Sequence, residues 1–211
     1  MDSVKVFGNY HIGIVCFSST LSITNSDIFK NGNNKDDYPQ LRLEKSQVNI
    51  QNTQVHDGVN NTGIVIYDNS KCEMDSVKVF GNYYIGINCF SSTLSITNSD
   101  IFKNGNSKDN YTQLQLRNSQ VNIQNTQVHD GVNNWGISIF DNSKCEMDSV
   151  KVFGNYYIGI NCHSSTLSIT NSDIFKNGND KDKYPQLALE NSQVKIQNTQ
   201  VHDGVNNWGI G

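Results

Sequence analysis

The chain contains very little of what builds a helical protein. Its 211 residues include a single alanine, Ala188, while asparagine, a turn former and poor helix former, is abundant. Charged residues make up 17% of the chain, which is below the roughly 25% of an average soluble domain. An all-helical or coiled-coil protein is therefore excluded.

Two further absences restrict the partners. The 16 basic and 20 acidic side chains give a net charge of −4, so the chain lacks the positive charge with which proteins bind nucleic acid. No apolar run approaches the roughly 18 residues that a membrane span requires. We therefore expect neither a nucleic-acid partner nor a membrane span.

The sequence instead repeats itself. Its first nine residues recur at Met74 and again at Met147, 73 residues apart. Units 1–73 and 74–146 differ at 11 positions, so 62 of 73 residues are identical. The third unit, 147–211, is incomplete. We predict that the three units form one continuous domain, because self-similarity at a fixed period is typical of repeat architectures.

Each unit holds three shorter repeats of 22 to 27 residues. In one such repeat the apolar residues form an alternating pair, Leu21 and Ile23, then a single residue, Ile28. A second pair, such as Ile14 and Cys16, completes the pattern. Alternation in pieces this short is typical of β-strands, and three strands per turn are typical of a β-solenoid. The sequence therefore predicts an all-β solenoid of about 8–9 turns at the usual strand spacing, with three short parallel sheets.

Stacked turns place equivalent residues in columns. Asn25, Asn52 and their equivalents form a turn column whose side chains we expect to bond from turn to turn. The five cysteines fall in inward columns, and members of one column lie three turns or about 14 Å apart, too far for a disulfide. Buried thiols of this kind favour an intracellular location. They are Cys16, Cys72, Cys89, Cys145 and Cys162.

The histidines at 56, 129 and 202 are equivalent in the three units. They are too far apart to share a metal ion, and they share a column with phenylalanines. We therefore predict an aromatic stack at this column, and no metal site, cofactor or catalytic residue in the chain.

A second set of aromatic residues lies where the longest loops enter the Gly-Ile strand. Exposed aromatic rings beside a long strand face suit contact with a sugar ring or a peptide, and equally suit packing against a neighbouring turn. We name this set the aromatic strip and predict it as a ligand-binding surface. It comprises Tyr84, Tyr111, Trp135, Tyr157, Tyr184 and Trp208.

The strings Val55-His56-Asp57-Gly58 and Gly63-Ile64-Val65-Ile66, with Asp27-Ile28-Phe29-Lys30-Asn31-Gly32, resemble right-handed parallel β-helix repeats. Such repeats are shared by pectate-lyase-like proteins, a periplasmic copper-associated family and F-box proteins that carry a β-helix. The F-box type is the most similar. The resemblance implies a right-handed parallel β-helix that recognises the substrates of a ubiquitin ligase and performs no chemistry itself.

A polysaccharide lyase or hydrolase would need converging acidic groups. Asp36 and Asp37 form an acidic pair whose counterparts at 109–110 and 182–183 are broken, and Arg42 and Arg117 are predicted to point outward. A near-identical array also offers the same groups every three turns. We therefore predict a non-enzymatic β-helix that recognises a protein partner. The alternative is a carbohydrate-binding or cell-surface structural β-helix, and a polysaccharide lyase or hydrolase ranks third.

Neither end of the sequence carries the polar cap that solenoids need. We therefore expect the chain to be an excerpt from a longer array, with end-to-end self-association through its open sheet edges.

Overall fold

The computed structural model describes residues 1–33, 38–105, 111–179, 181 and 183–211. Within these residues the chain forms 25 strands, numbered in chain order, which stack in three parallel sheets. Sheet A contains β3 (Thr20–Thr24), β6 (Gln47–Gln51), β9 (Lys71–Asp75), β12 (Thr93–Thr97), β15 (Gln120–Gln124), β18 (Lys144–Asp148), β21 (Thr166–Thr170) and β24 (Gln193–Gln197).

Sheet B contains β1 (Lys5–Phe7), β4 (Asp27–Phe29), β7 (Gln54–His56), β10 (Lys78–Phe80), β13 (Asp100–Phe102), β16 (Gln127–His129), β19 (Lys151–Phe153), β22 (Asp173–Phe175) and β25 (Gln200–His202). Sheet C contains β2 (Ile14–Phe17), β5 (Leu41–Glu44), β8 (Ile64–Tyr67), β11 (Ile87–Phe90), β14 (Tyr111–Arg117), β17 (Asn134–Phe140), β20 (Ile160–His163) and β23 (Leu187–Glu190). Each turn of the chain visits A, B and C in order, so the predicted parallel β-helix of three sheets is confirmed. Among the described residues no helix has the length and apolarity to cross a membrane.

The predicted inward columns form the core. Ile23, Ile50 and Ile96 of sheet A are completely buried, and Ile64 and Ile87 of sheet C are as well. Removing such surface from water contributes about 25 cal/mol per Å². The five cysteines are buried and unpaired in this core, as predicted. Burial raises the pKa of the Cys89 thiol to about 11, which keeps that thiol protonated at neutral pH.

The corner between sheets A and B is held by the predicted asparagine column. Asn25 and Asn52 have φ angles of 51° and 48°, in the left-handed region that asparagine tolerates. The Asn52 side-chain amide donates to Asn25 Oδ1 at 3.4 Å, and the Asn98 amide donates to Asp75 Oδ1 at 2.8 Å. Bonding from turn to turn is therefore confirmed, with aspartate as the acceptor in some turns.

The corner between sheets B and C contains a second, buried set of amides, which we call the amide corner. The Asn82 side chain donates to Asn104 Oδ1 at 2.9 Å, and the Asn104 side chain donates to Gln113 Oε1 at 2.6 Å. These bonds satisfy polar groups that water cannot reach. The amide corner comprises Asn31, Gln40, Asn82, Asn104, Gln113, Asn155, Asn177 and Gln186, all completely buried.

The third residue of every sheet B strand points outward and carries a ring, which confirms the predicted aromatic stack. Neighbouring ring centroids are 4.6 to 5.4 Å apart, and the rings lie within 11° of parallel. The stack comprises Phe7, Phe29, His56, Phe80, Phe102, His129, Phe153, Phe175 and His202.

Each histidine of this stack lies between two carboxylates. His129 Nε2 is 2.8 Å from Asp100 Oδ1, and its Nδ1 is 3.1 Å from Asp130 Oδ2. Burial disfavours the charged imidazole, but these two carboxylates outweigh it and raise the pKa of His129. At His202, the hydrogen bond to Asp203 is the main cause of a pKa that is also raised.

The raised pKa values of His129 and His202 predict a pH-dependent stability. A raised pKa in the folded state means that the stabilisation is complete below the unfolded pKa of about 6.5 and is lost as the pH rises through the folded value. We therefore expect the free energy of unfolding, measured by urea denaturation, to decrease between pH 6 and pH 8. His129→Phe, which copies Phe102, removes one titrating group. It should therefore make the free energy of unfolding less dependent on pH, by the contribution of at most one bound proton. A pH dependence in His129→Phe equal to that of the wild type would contradict the assignment.

Candidate functional site on sheet C

The repeated units differ mainly on one face of the helix. Sheets A and B have identical residues in units 1–73 and 74–146, whereas every difference that falls within a described strand lies in sheet C, five of the 11 at its outward positions. Equivalent positions carry the same folding requirements, so the core does not explain where these differences fall. The five pairs are Val15/Asn88, Arg42/Gln115, Glu44/Arg117, Val65/Ser138 and Tyr67/Phe140.

The last residue of each sheet C strand contributes to a row that we call the outer column. Glu44 is in register with Phe17 on one side and with Tyr67 on the other. Neighbouring strands lie about 4.8 Å apart, so rings and charged groups alternate closely along the face. The column comprises Phe17, Glu44, Tyr67, Phe90, Arg117, Phe140, His163 and Glu190.

Three side chains of the first unit form a connected cluster. Arg42 Nη2 lies 3.0 Å from Glu44 Oε2, and the Tyr67 hydroxyl donates to the same oxygen at 2.8 Å. The Arg42 guanidinium lies over the Tyr67 ring, 5.0 Å from its centroid, a cation–π arrangement. The Glu44 side chain is only 16% exposed, which limits the screening of these contacts by water.

The cluster fixes the protonation of its members. The hydrogen bond from Tyr67 is the main cause of a lowered pKa of Glu44, and Arg42 adds to it. Burial, followed by the bond to Glu44, raises the pKa of Tyr67. At neutral pH the cluster therefore presents an ionised carboxylate beside a protonated phenol.

This cluster occurs in one unit only. The equivalent residues of the second unit are Gln115, Arg117 and Phe140, and there the guanidinium pairs instead with Asp141, its Nε 3.1 Å from Oδ2. Further along the column, His163 Nδ1 lies 3.2 Å from Glu190 Oε2. The outer column therefore differs chemically along its length, although the fold beneath it repeats.

The predicted aromatic strip lies at the rim of sheet C, where its strands begin. The Tyr84 and Tyr111 ring centroids are 4.9 Å apart, and those of Tyr157 and Tyr184 are 5.3 Å apart. Trp135 lies in β17. Trp208 is 63% exposed. The structure thus brings the tyrosines together in pairs, while ligand binding by the strip stays a prediction. The acidic residues Asp36, Asp37, Asp109 and Asp182 lie outside the described residues.

The Arg42–Glu44–Tyr67 cluster is absent from the residues predicted to form a site. Arg42 was predicted to point outward, and the sequence shows that Gln115 and Arg117 replace Arg42 and Glu44 in the second unit. A signal was therefore present: an arginine and a glutamate at alternate residues of one strand, with a tyrosine in register one turn later.

No family model and no curated protein matches the sequence. Its fold is shared by solved structures, among them an alginate epimerase and a tailspike domain. The periplasmic alginate epimerase AlgG T265N mutant superposes with a TM-score of 0.67 at 13% identity, over 90% of this chain and 48% of the epimerase. The enzymatically active domain of bacteriophage CBA120 tailspike protein 2 superposes with a TM-score of 0.66 at 14% identity, over 94% of this chain and 35% of the tailspike. The chain thus spans about half and about a third of these proteins.

These similarities confirm the right-handed parallel β-helix and correct the functional predictions. The prediction of a non-enzymatic β-helix that recognises a protein partner, as in F-box proteins, is wrong, because the two proteins of similar fold are an alginate epimerase and the enzymatically active domain of a tailspike. The F-box resemblance rested on core and turn residues, which any β-helix of this shape requires. Repetition does not exclude a reacting centre either, because Arg42, Glu44 and Tyr67 are not repeated in the second unit. The carbohydrate alternative agrees better with these findings.

Proposed function

We propose that this β-helix binds a polysaccharide along the outward face of sheet C and acts on it at the Arg42–Glu44–Tyr67 cluster. The observation that carries the proposal is the outer column, in which one unrepeated, charged cluster is followed by aromatic rings on a continuous parallel sheet. The similarity to an alginate epimerase and to an enzymatically active tailspike domain supports it.

The face suits an extended polymer. Eight strands at about 4.8 Å spacing give a row of roughly 34 Å, long enough for several sugar rings in succession. Phe17 and Phe90 expose 54% and 42% of their surface along this row. Rigid rings supply large apolar contact area with little loss of conformational entropy, and they would pack against the apolar faces of sugars.

The cluster suits chemistry at a sugar. Reactions at a glycosidic bond pass through transition states with positive charge on the sugar ring, which the ionised Glu44 carboxylate would stabilise. The protonated Tyr67 hydroxyl lies 2.8 Å from that carboxylate, where it can hold a proton near the reacting oxygen. Arg42 keeps both groups in place through its contacts to Glu44 and to the Tyr67 ring.

Glu44→Gln and Tyr67→Phe test this assignment. Tyr67→Phe copies Phe140, so the fold should be preserved. Because positioned acid–base groups contribute about 10²- to 10⁴-fold to rate, each variant should lower the turnover of a responsive polysaccharide about 100-fold, with KM changed far less. The assay is a panel of polysaccharides followed by product analysis for chain cleavage and for altered sugar configuration.

Glu73→Gln is the matched control. Glu73 also pairs with a cation, since Lys71 Nζ lies 2.6 Å from its Oε1, but it lies on the outward face of sheet A. Its replacement should leave turnover at the wild-type level. Full activity in both sheet C variants, or an equal loss in Glu73→Gln, would refute the cluster as the reacting site.

A further inference from the structure

The charges on sheet C indicate which class of polysaccharide it accepts. Among the described residues, the outward positions and the turns directly after these strands carry three cationic and four acidic side chains. The cations are Arg42, Lys45 and Arg117, and the acids are Glu44, Asp68, Asp141 and Glu190. These seven side chains, with His163 left out of the count, give the face a net charge of −1, in a protein with a net charge of −4.

The cations are also engaged within the protein. Arg42 is paired with Glu44 at 3.0 Å, and Arg117 with Asp141 at 3.1 Å. The Lys45 ammonium lies 5.7 Å from the centroid of the Phe17 ring. The carboxylates of a polyuronate could pair with these cations only if the existing contacts were broken. They would also lie close to the carboxylates of Glu44 and Glu190 on the same face. Like charges brought together across an interface cost affinity and exclude partners.

The remaining outward residues match uncharged hydroxyl groups. Asn88, Gln115 and Asn161 occupy the outward column beside the outer column, and each amide offers both donors and an acceptor. Sugar hydroxyls both donate and accept hydrogen bonds, so these amides can pair with them in either direction. Between these amides lies Ser138, which is completely buried and whose hydroxyl has no hydrogen-bond partner.

We propose that the polysaccharide bound by sheet C is neutral, built from hydroxyl-bearing sugars without carboxylate or sulfate groups. The inference rests on the proposed function and gives it a substrate class that differs from alginate, the polymer in the name of one protein of similar fold. Amides and aromatic rings carry recognition, and the paired charges hold the cluster in place.

Binding to immobilised polysaccharides tests the inference directly. The whole chain is applied to neutral glucans, galactans and mannans, and to alginate and pectate as polyuronates, at 20 mM and 200 mM salt. We expect binding to at least one neutral polymer, with affinity independent of salt, and none to the polyuronates. Phe90→Ala should weaken the neutral interaction about 10-fold, whereas Phe90→His, which copies His163 and keeps a ring, should retain most of it.

A charge reversal supplies a gain of function. Glu190→Arg copies Arg117 of the second unit and shifts the face by two positive charges, so it should create salt-sensitive polyuronate binding that the wild type lacks. Polyuronate binding by the wild type that falls with salt and is lost in Phe90→Ala would overturn the neutral class and leave sheet C as the polysaccharide site. Binding to neither class, or binding unaffected by Phe90→Ala, would overturn the proposed function as well.

Discussion

Replacement of Asn104 by alanine should lower the free energy of unfolding by about 3–5 kcal/mol, since each buried polar group left without a partner costs about 1–3 kcal/mol. Asn104 is completely buried in the amide corner. Its Oδ1 accepts from the Asn82 backbone N–H at 3.1 Å and from the Asn82 side chain at 2.9 Å. Its Nδ2 donates to the Val79 carbonyl at 3.0 Å and to Gln113 Oε1 at 2.6 Å. Alanine leaves all four groups without these bonds.

An exposed asparagine of the other corner is the matched control. Asn98 lies in the turn between sheets A and B with a φ angle of 49°, and its side-chain amide donates to Asp75 Oδ1 at 2.8 Å. Ser76 holds the equivalent position at a φ angle of 57°, so Asn98→Ser is tolerated by the backbone. We expect a loss below about 1 kcal/mol in urea denaturation. Equal losses in both variants would show that the amide corner does not carry the stability assigned to it.

Gly136→Ala should also destabilise the fold strongly, by about 2–3 kcal/mol or more, as overpacking in a well-packed interior does. A Cβ at this position would overlap the Gly159 carbonyl oxygen and lie 2.8 Å from Asn155 Nδ2 and 2.9 Å from Val152 Cγ1. The carbonyl belongs to the backbone of the next turn, so relief requires the stack of turns to separate locally.

The same substitution in the third unit provides the control. Gly209 is the equivalent of Gly136, but a Cβ there would meet only Val201 Cγ1, at 4.0 Å. Gly209→Ala should therefore leave the thermal unfolding temperature within about 2 °C of the wild type, while Gly136→Ala should lower it by several degrees. A wild-type temperature for Gly136→Ala would contradict the close approach of the turns.

The strands and the core were predictable because both follow from a local pattern. Leu21 and Ile23 alternate within five residues, and repetition of that pattern defines the columns. The amide corner was not predicted, since Asn82 and Asn104 look like turn residues in the sequence. Only the folded chain shows that they lie inside the corner, where they bond to Gln113 and to backbone carbonyls.

The candidate site was predicted only in part. The tyrosines of the aromatic strip were found because rings beside long loops stand out, and the structure places Tyr84 next to Tyr111. The Arg42–Glu44–Tyr67 cluster escaped because its members are 23 residues apart along the chain, Glu44 to Tyr67, and meet only when two turns stack in register. The function was mispredicted for a related reason. The repeated residues determine the solenoid, whereas the residues that differ between units form the face that we assign to the substrate.

A crystal structure of the chain with a neutral oligosaccharide from the binding panel tests the central claim most directly. We expect electron density for the sugars along sheet C, with one ring within hydrogen-bond distance of Glu44 and Tyr67 and another packed against Phe90. Density on the outward face of sheet A or sheet B, with sheet C empty, would contradict it.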